Sequence, residues 1–116
     1  MVIDTILKLV YFAGLAVILY LALAPNPPAP VEASDKINHM LAFLALSLGG
    51  RVIWRGLSVW TLLAAMAVLG AGIELLQLAM GLGRDADVMD WIADMVATVA
   101  GLAIGTVVVM IVRRAK

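Results

Sequence analysis

The sequence predicts an all-α, polytopic membrane protein, and three observations carry that prediction. Of its 116 residues, 65% are hydrophobic and 14% charged, where a soluble domain carries about a quarter charged residues. The mean hydropathy is +1.10, and a chain this short exposes too much surface to hide that excess in one core. The apolar residues also fall into four long runs, most of them with almost no polar face, whereas a soluble bundle keeps a polar stripe on every helix. Hydrocarbon is the solvent that satisfies all three. The length allows a single domain, residues 1–116.

The runs predict four transmembrane helices, at 6–24, 37–54, 57–80 and 88–112. The first follows a short head containing Asp4 and Lys8. Its end, Ala22-Leu23-Ala24, resembles a small-residue cleavage site, so a removed signal peptide is the competing reading. Pro25 follows directly, which suits a helix stop better than a processed bond. Pro25 to Pro30 then holds four prolines, which cannot donate the bonds a helix needs, and is read as an extended connector.

Ser34 and Asp35 are the expected N-caps of the second helix. That helix carries His39 near its start and Arg51 near its end. It is short, and a re-entrant segment is its alternative. The third stays apolar or small until Glu74 and Gln77 in its last two turns, and Gly81-Leu82-Gly83 breaks it. The fourth begins inside an acidic cluster, Arg84 to Asp94, and ends at Arg113-Arg114-Ala115-Lys116.

With four alternating spans, Lys8, Arg51, Arg55, Arg113, Arg114 and Lys116 share one side, and only Lys36 and Arg84 fall on the other. The bias of lysine and arginine to cytoplasmic loops then places both termini in the cytoplasm and the acidic turn outside. Zero net charge gives no argument for a nucleic-acid partner, and the lack of cysteine excludes disulfide and thiol chemistry.

Residues three or four apart share a helix face. Asp35 aligns with His39, and Glu74 with Gln77, on a stripe that continues through Gly70, Ala67 and Ala64. Asp90 and Asp94 align with Ala97, Gly101 and Gly105, small residues at the spacing that lets membrane helices approach closely. The acids of the fourth helix therefore ride its smoothest face, which is expected to point inward, since acids facing lipid are costly. The expected site is an outward polar pocket built by Asp35, Lys36, His39, Glu74, Gln77, Arg84, Asp87, Asp90 and Asp94. The opposite half of the bundle is expected to be closely packed scaffold.

The order Asp35-Lys36-x-x-His39, Glu74-x-x-Gln77 and Arg84-x-x-Asp87-x-x-Asp90-x-x-x-Asp94 resembles the VanZ-like family of small bacterial membrane proteins. The resemblance runs from Asp35 to Gly105 and leaves the first helix as a generic anchor. That family usually has Asn where this chain has Asp94, and often Gly where it has Ala97. The resemblance implies a multi-pass protein of the bacterial cytoplasmic membrane, in a family named from a member that lowers sensitivity to the glycopeptide teicoplanin. It brings no agreed reaction with it.

Each site residue has a plain reading beside a chemical one. His39, the sole histidine, is a helix-start residue bonded to Asp35, or a proton carrier, or a metal ligand with Glu74 and Asp90. The carboxylates suit calcium or magnesium, or pair across helices with Lys36 and Arg84. No cofactor motif is evident, and a divalent cation is compatible with this acid set. Arg84 would grip phosphate in a bidentate way, or pair with Asp87. Asp85 reads as a solvated turn residue, and Trp54, Trp60, Trp91 and Tyr20 as an interfacial aromatic belt.

No Gly-x-Ser-x-Gly elbow, nucleotide loop or His-Glu-x-x-His helix is present. Three functions remain. The first is a non-catalytic envelope protein that binds an anionic lipid, a lipid-linked wall precursor or a glycopeptide. The second is a small membrane enzyme on such a lipid, with His39, Glu74 or Asp90 as acid–base groups. The third, a proton-coupled transporter, would require a homo-oligomer and lacks polar residues to continue a path toward the cytoplasm.

Overall fold

The structure, a computed structural model, describes residues 2–23, 32–80 and 88–115, with side chains of the second helix from Ile37 onward. It is all-helical: α1 (Val2–Leu23), α2 (Glu32–Ile53), α3 (Val59–Ala79) and α4 (Val88–Ala115). Three of them, α1, α3 and α4, are long and apolar enough to cross a membrane, while the apolar part of α2 is the shorter stretch Ile37–Ile53. The Pro-rich connector and the turn holding Arg84, Asp85 and Asp87 lie outside the described residues.

Four boundaries differ from the expectation. α1 starts at Val2, so Asp4 and Lys8 form part of the helix rather than a head. α2 starts at Glu32, which puts Ser34 and Asp35 inside it and not at its cap. Glu, Ala and Lys are good helix formers, and Glu32-Ala33 carries the helix back toward Pro30. α3 starts two residues later than its apolar run. Ser58 caps it from an extended backbone, its Oγ accepting the Thr61 N–H at 3.1 Å. α4 runs on to Ala115, where Arg113 and Arg114 oppose the negative end of its dipole.

α2 and α4 form the closest pair and run parallel, because Ser47 meets Gly101 and Arg51 meets Gly105. A Cβ built on Gly101 would collide with Ser47 Oγ and stand 2.5 Å from the Leu44 carbonyl oxygen. One on Gly105 would stand 2.8 Å from Arg51 Cβ and 3.1 Å from the Leu48 carbonyl. Only glycine fits at these two positions. In lipid no hydrophobic force separates helix–helix from helix–lipid contact, so this close approach is a main source of association.

α3 runs antiparallel to that pair, with Leu62 against Gly50 at one end and Gly70 against Phe43 and Trp91 further along. α1 lies outside, antiparallel to α2. It is held where Tyr11 packs on Gly49 and Gly50 and donates its hydroxyl to the Leu46 carbonyl at 2.9 Å. Tyr11 and Phe12 also meet Trp54 edge-on, at 4.9 and 5.6 Å between ring centroids. Phe43, Leu46, Met66, Ile73, Ala97 and Ala22 form the buried apolar core.

Adding one methyl group at Gly101 should destabilise the α2–α4 pair by about 1–3 kcal/mol, the usual cost of overpacking. Gly14 on α1 faces open space. Its alanine variant should be neutral or slightly stabilising in the same denaturant titration of detergent-solubilised protein. Equal effects at the two positions would contradict the packing described here.

Candidate functional site

The parallel register of α2 and α4 sets the depth of the polar residues. His39 lies two turns before Ser47, and Asp94 lies seven residues before Gly101, so the two sit within about 2 Å of each other along the axis at 1.5 Å per residue. Glu74 lies one turn beyond Gly70, as His39 lies one turn before Phe43, and Phe43 packs on Gly70. His39, Glu74 and Asp94 therefore come from three helices to one layer. Gln77 and Asp90 stand about one turn further toward the same end. The described cations Lys8, Arg51, Arg55, Arg113 and Arg114 belong to the other end of the bundle.

Asp94 is the deepest of these acids, 3% exposed. It shares the buried face of α4 with Ala97, Thr98, Gly101, Leu102, Gly105 and Val109, so the face with the small residues is the one that packs. Thr98 fills the next turn, donating its hydroxyl back to the Asp94 carbonyl at 2.8 Å. Asp90, one turn earlier, is half-buried, as are His39 and Glu74. Each of these four is engaged by a partner.

On α3 the buried stripe is Leu62, Met66, Gly70, Ile73 and Gln77. Of the stripe expected through Glu74, Gln77, Gly70, Ala67 and Ala64, Gly70 and Gln77 are buried, Glu74 and Ala67 are half-buried, and Ala64 is exposed. Ile73 takes the central place because a fully apolar side chain packs there without a partner to satisfy. Gln77 is 3% exposed, and its Nε2 donates to the Ala22 carbonyl at 2.8 Å. Ala22 lies in the last turn of α1, where carbonyls lack helical partners. Gln77 thus binds α3 to α1.

Trp91, expected in the aromatic belt, is instead half-buried between helices. Its indole N–H donates to the Ala67 carbonyl at 3.1 Å, and its ring packs over Gly70. Trp60 and Tyr20 are exposed, and Trp54 is packed on α1.

Among the described residues, no group of three His, Asp or Glu side chains stands close enough to hold a metal ion. The ligand set His39, Glu74 and Asp90 is therefore not assembled. The register gives the reason, since Asp90 is a full turn, about 5 Å, out of the layer that His39 and Glu74 share. Asp35 and Lys36 lie on α2 with side chains outside the description, and Arg84 and Asp87 lie outside the described residues. An open surface depression lined by Val2, Asp4, Thr5, Ile6 and Lys8 belongs to the opposite end and touches none of these groups.

Three polar residues were not singled out from sequence and prove to matter to packing. Ser47 and Thr98 are fully buried at the α2–α4 contact. Thr106 accepts from Arg51 Nε at 3.1 Å. A signal existed, since His39, Phe43, Ser47 and Arg51 follow one another at intervals of four along one face of α2. No family model, curated protein or solved structure matches the chain.

Replacing Gln77 with Leu should cost about 1 kcal/mol of stability, the usual range for a hydrogen bond between membrane helices. Trp91→Phe keeps one aromatic ring but loses the bond to Ala67 and the indole edge that packs on Gly70, and should cost at least as much. The two bonds fasten different helix pairs, so the double variant should show additive losses in denaturant titration. A strongly non-additive result would mean that the two side chains act as one unit.

Proposed function

We propose that this chain is a multi-pass protein of the bacterial cytoplasmic membrane, of the VanZ-like type. In this reading all four helices span, both termini are cytoplasmic, and the acidic end faces outward. There it binds the headgroup of an anionic lipid or lipid-linked wall precursor, or a glycopeptide, and so lowers access of such antibiotics to the surface. The observation that carries this reading is the layer of His39, Glu74 and Asp94, contributed by three helices at one depth.

The apolar stretch of α2, Ile37–Ile53, is about 26 Å long at 1.5 Å per residue, a short span that local bilayer thinning and snorkelling of Arg51 accommodate. The described cations gather at the end away from every described acid but Asp4, in the sense of the positive-inside bias. The motif order from Asp35 to Asp94 supports the family reading. Lys36 and Arg84 would hold phosphate, while the carboxylates, Asp87 among them, would hold amines, sugar hydroxyls or a bridging cation.

A second reading is favoured by one feature. Glu74 is a half-buried acid at the depth of the single histidine, an arrangement suited to acid–base work on a lipid-linked substrate. Turnover of purified protein on such substrates, lost in Glu74→Gln and His39→Ala, would establish an enzyme. Binding without turnover in any divalent metal would leave the binding reading.

Two measurements test the main proposal. A periplasm-dependent reporter fused after residue 31 should be active and one fused after Lys116 silent; the reverse pattern would invert the topology. Purified protein should bind lipid-linked diphosphate precursors, with affinity falling severalfold in Arg84→Ala and Asp90→Asn. Unchanged binding in both variants would sink the assignment of this end as the site.

A further inference from the structure

We infer that the basic end of the α2–α4 pair is a binding site for the phosphate of an anionic phospholipid, with the Arg51 guanidinium as its fork. Arg51 lies in the last turn of α2, at the edge of that helix's apolar stretch, which is headgroup depth for a helix in a bilayer. Its stem is laid over Gly105, whose missing side chain makes the room: a Cβ there would stand 2.8 Å from Arg51 Cβ and 3.1 Å from Arg51 Cγ. Nε donates to Thr106 Oγ1 at 3.1 Å, and Nη1 reaches the Arg55 carbonyl at the long limit of 3.5 Å. The guanidinium is thus oriented by a neighbouring helix rather than by a carboxylate.

The bonds leave a specific chemistry over. A guanidinium has five N–H donors in a rigid fork. With Nε committed to Thr106, Nη2 has no acceptor among the described residues, and Nη1 has only the long one. The Nη1–Nη2 edge is what pairs in bidentate fashion with two oxygens of a phosphate. Among the described residues no carboxylate pairs with this half-buried guanidinium, which lies at the depth of lipid phosphates. Among the described residues Asp4 is the acid at this end, and its electrostatic partners include the amino terminus, Lys8 and Arg55. Arg55, Arg113 and Arg114 add exposed positive charge beyond Arg51, which concentrates anionic lipid around the fork. The Tyr11–Phe12–Trp54 cluster offers an apolar wall on the α1 side for the upper acyl chain.

This inference uses the opposite end from the proposed envelope site and does not rest on that reading. Its test uses the full chain in phosphatidylcholine vesicles with and without phosphatidylglycerol, and in phosphatidylcholine with inorganic phosphate added. Thermal unfolding should shift upward with phosphatidylglycerol. Arg51→Lys keeps the charge and the stem but loses the fork, and should lose most of that shift. Thr106→Val releases the fork while keeping the shape of the α4 residue, and should lose much of the shift too, so the idea stays testable if Arg51→Lys folds poorly. Arg113→Gln should keep most of it. An unchanged shift in both fork variants, an equal loss in Arg113→Gln, or the same stabilisation by inorganic phosphate would each overturn the assignment.

Discussion

The structure depends on the contact of α4 with α2 at Gly101 and Gly105. Everything else can be traced from it. α2 is the helix whose apolar part is shortest, and it carries a buried hydroxyl and a half-buried guanidinium. Alone in hydrocarbon it would be the least stable of the four. Against α4 its Leu44 and Leu48 carbonyls lie beside glycines rather than side chains, so the backbones approach and dispersion acts at short range. Ser47 and Thr98 spend their hydroxyl protons on carbonyls three and four residues earlier in their own helices. A buried hydroxyl at the contact therefore adds no unmet donor.

The same contact fixes depth. Once Ser47 is level with Gly101, His39 must be level with Asp94, and Arg51 with Thr106. The polar layer at one end and the held guanidinium at the other are two consequences of one register. A slip of α4 by four residues would carry Asp94 away from His39 and put either Ala97 against Ser47 or Val109 against Arg51. The glycines thus specify the site as well as the packing, although neither touches a polar group of the acidic end.

Much of this was legible in the sequence, and the parts that were not share a physical cause. The buried face of α4 could be read because small residues at i, i+4 mark close approach whatever surrounds the helix. The existence of the four helices followed from their apolar runs and breakers. The stripe of α3 was legible in part: Gly70 and Gln77 are buried, but Ile73, Met66 and Leu62 take the places expected for Glu74, Ala67 and Ala64. In water, polarity tells the core side from the solvent side; in lipid both sides are apolar, and α3 before Glu74 offers no contrast to read. Trp91 was misassigned for a related reason. An indole near a helix start suits the interface, but Gly70 on α3 opened a slot for it that no local pattern on α4 announces. The start of α2 was missed because capping residues were weighed above the helix-forming Glu32-Ala33 that precede them.

Gln77 places a constraint on what the acidic end can do. Its Nε2 is committed to Ala22, and that bond is a polar tie between α1 and α3. α1 otherwise leans on Tyr11 at the far end and on apolar contacts along Leu15, Ile18 and Leu19. An amide has two N–H donors and one acceptor oxygen. A ligand that drew on the N–H now given to Ala22 would leave a buried carbonyl in the last turn of α1 without that partner. A ligand that used the remaining amide groups would leave α1 seated. Gln77 stands one turn from the layer of His39, Glu74 and Asp94, so a ligand that reached from that layer to Gln77 would bear on the seating of α1.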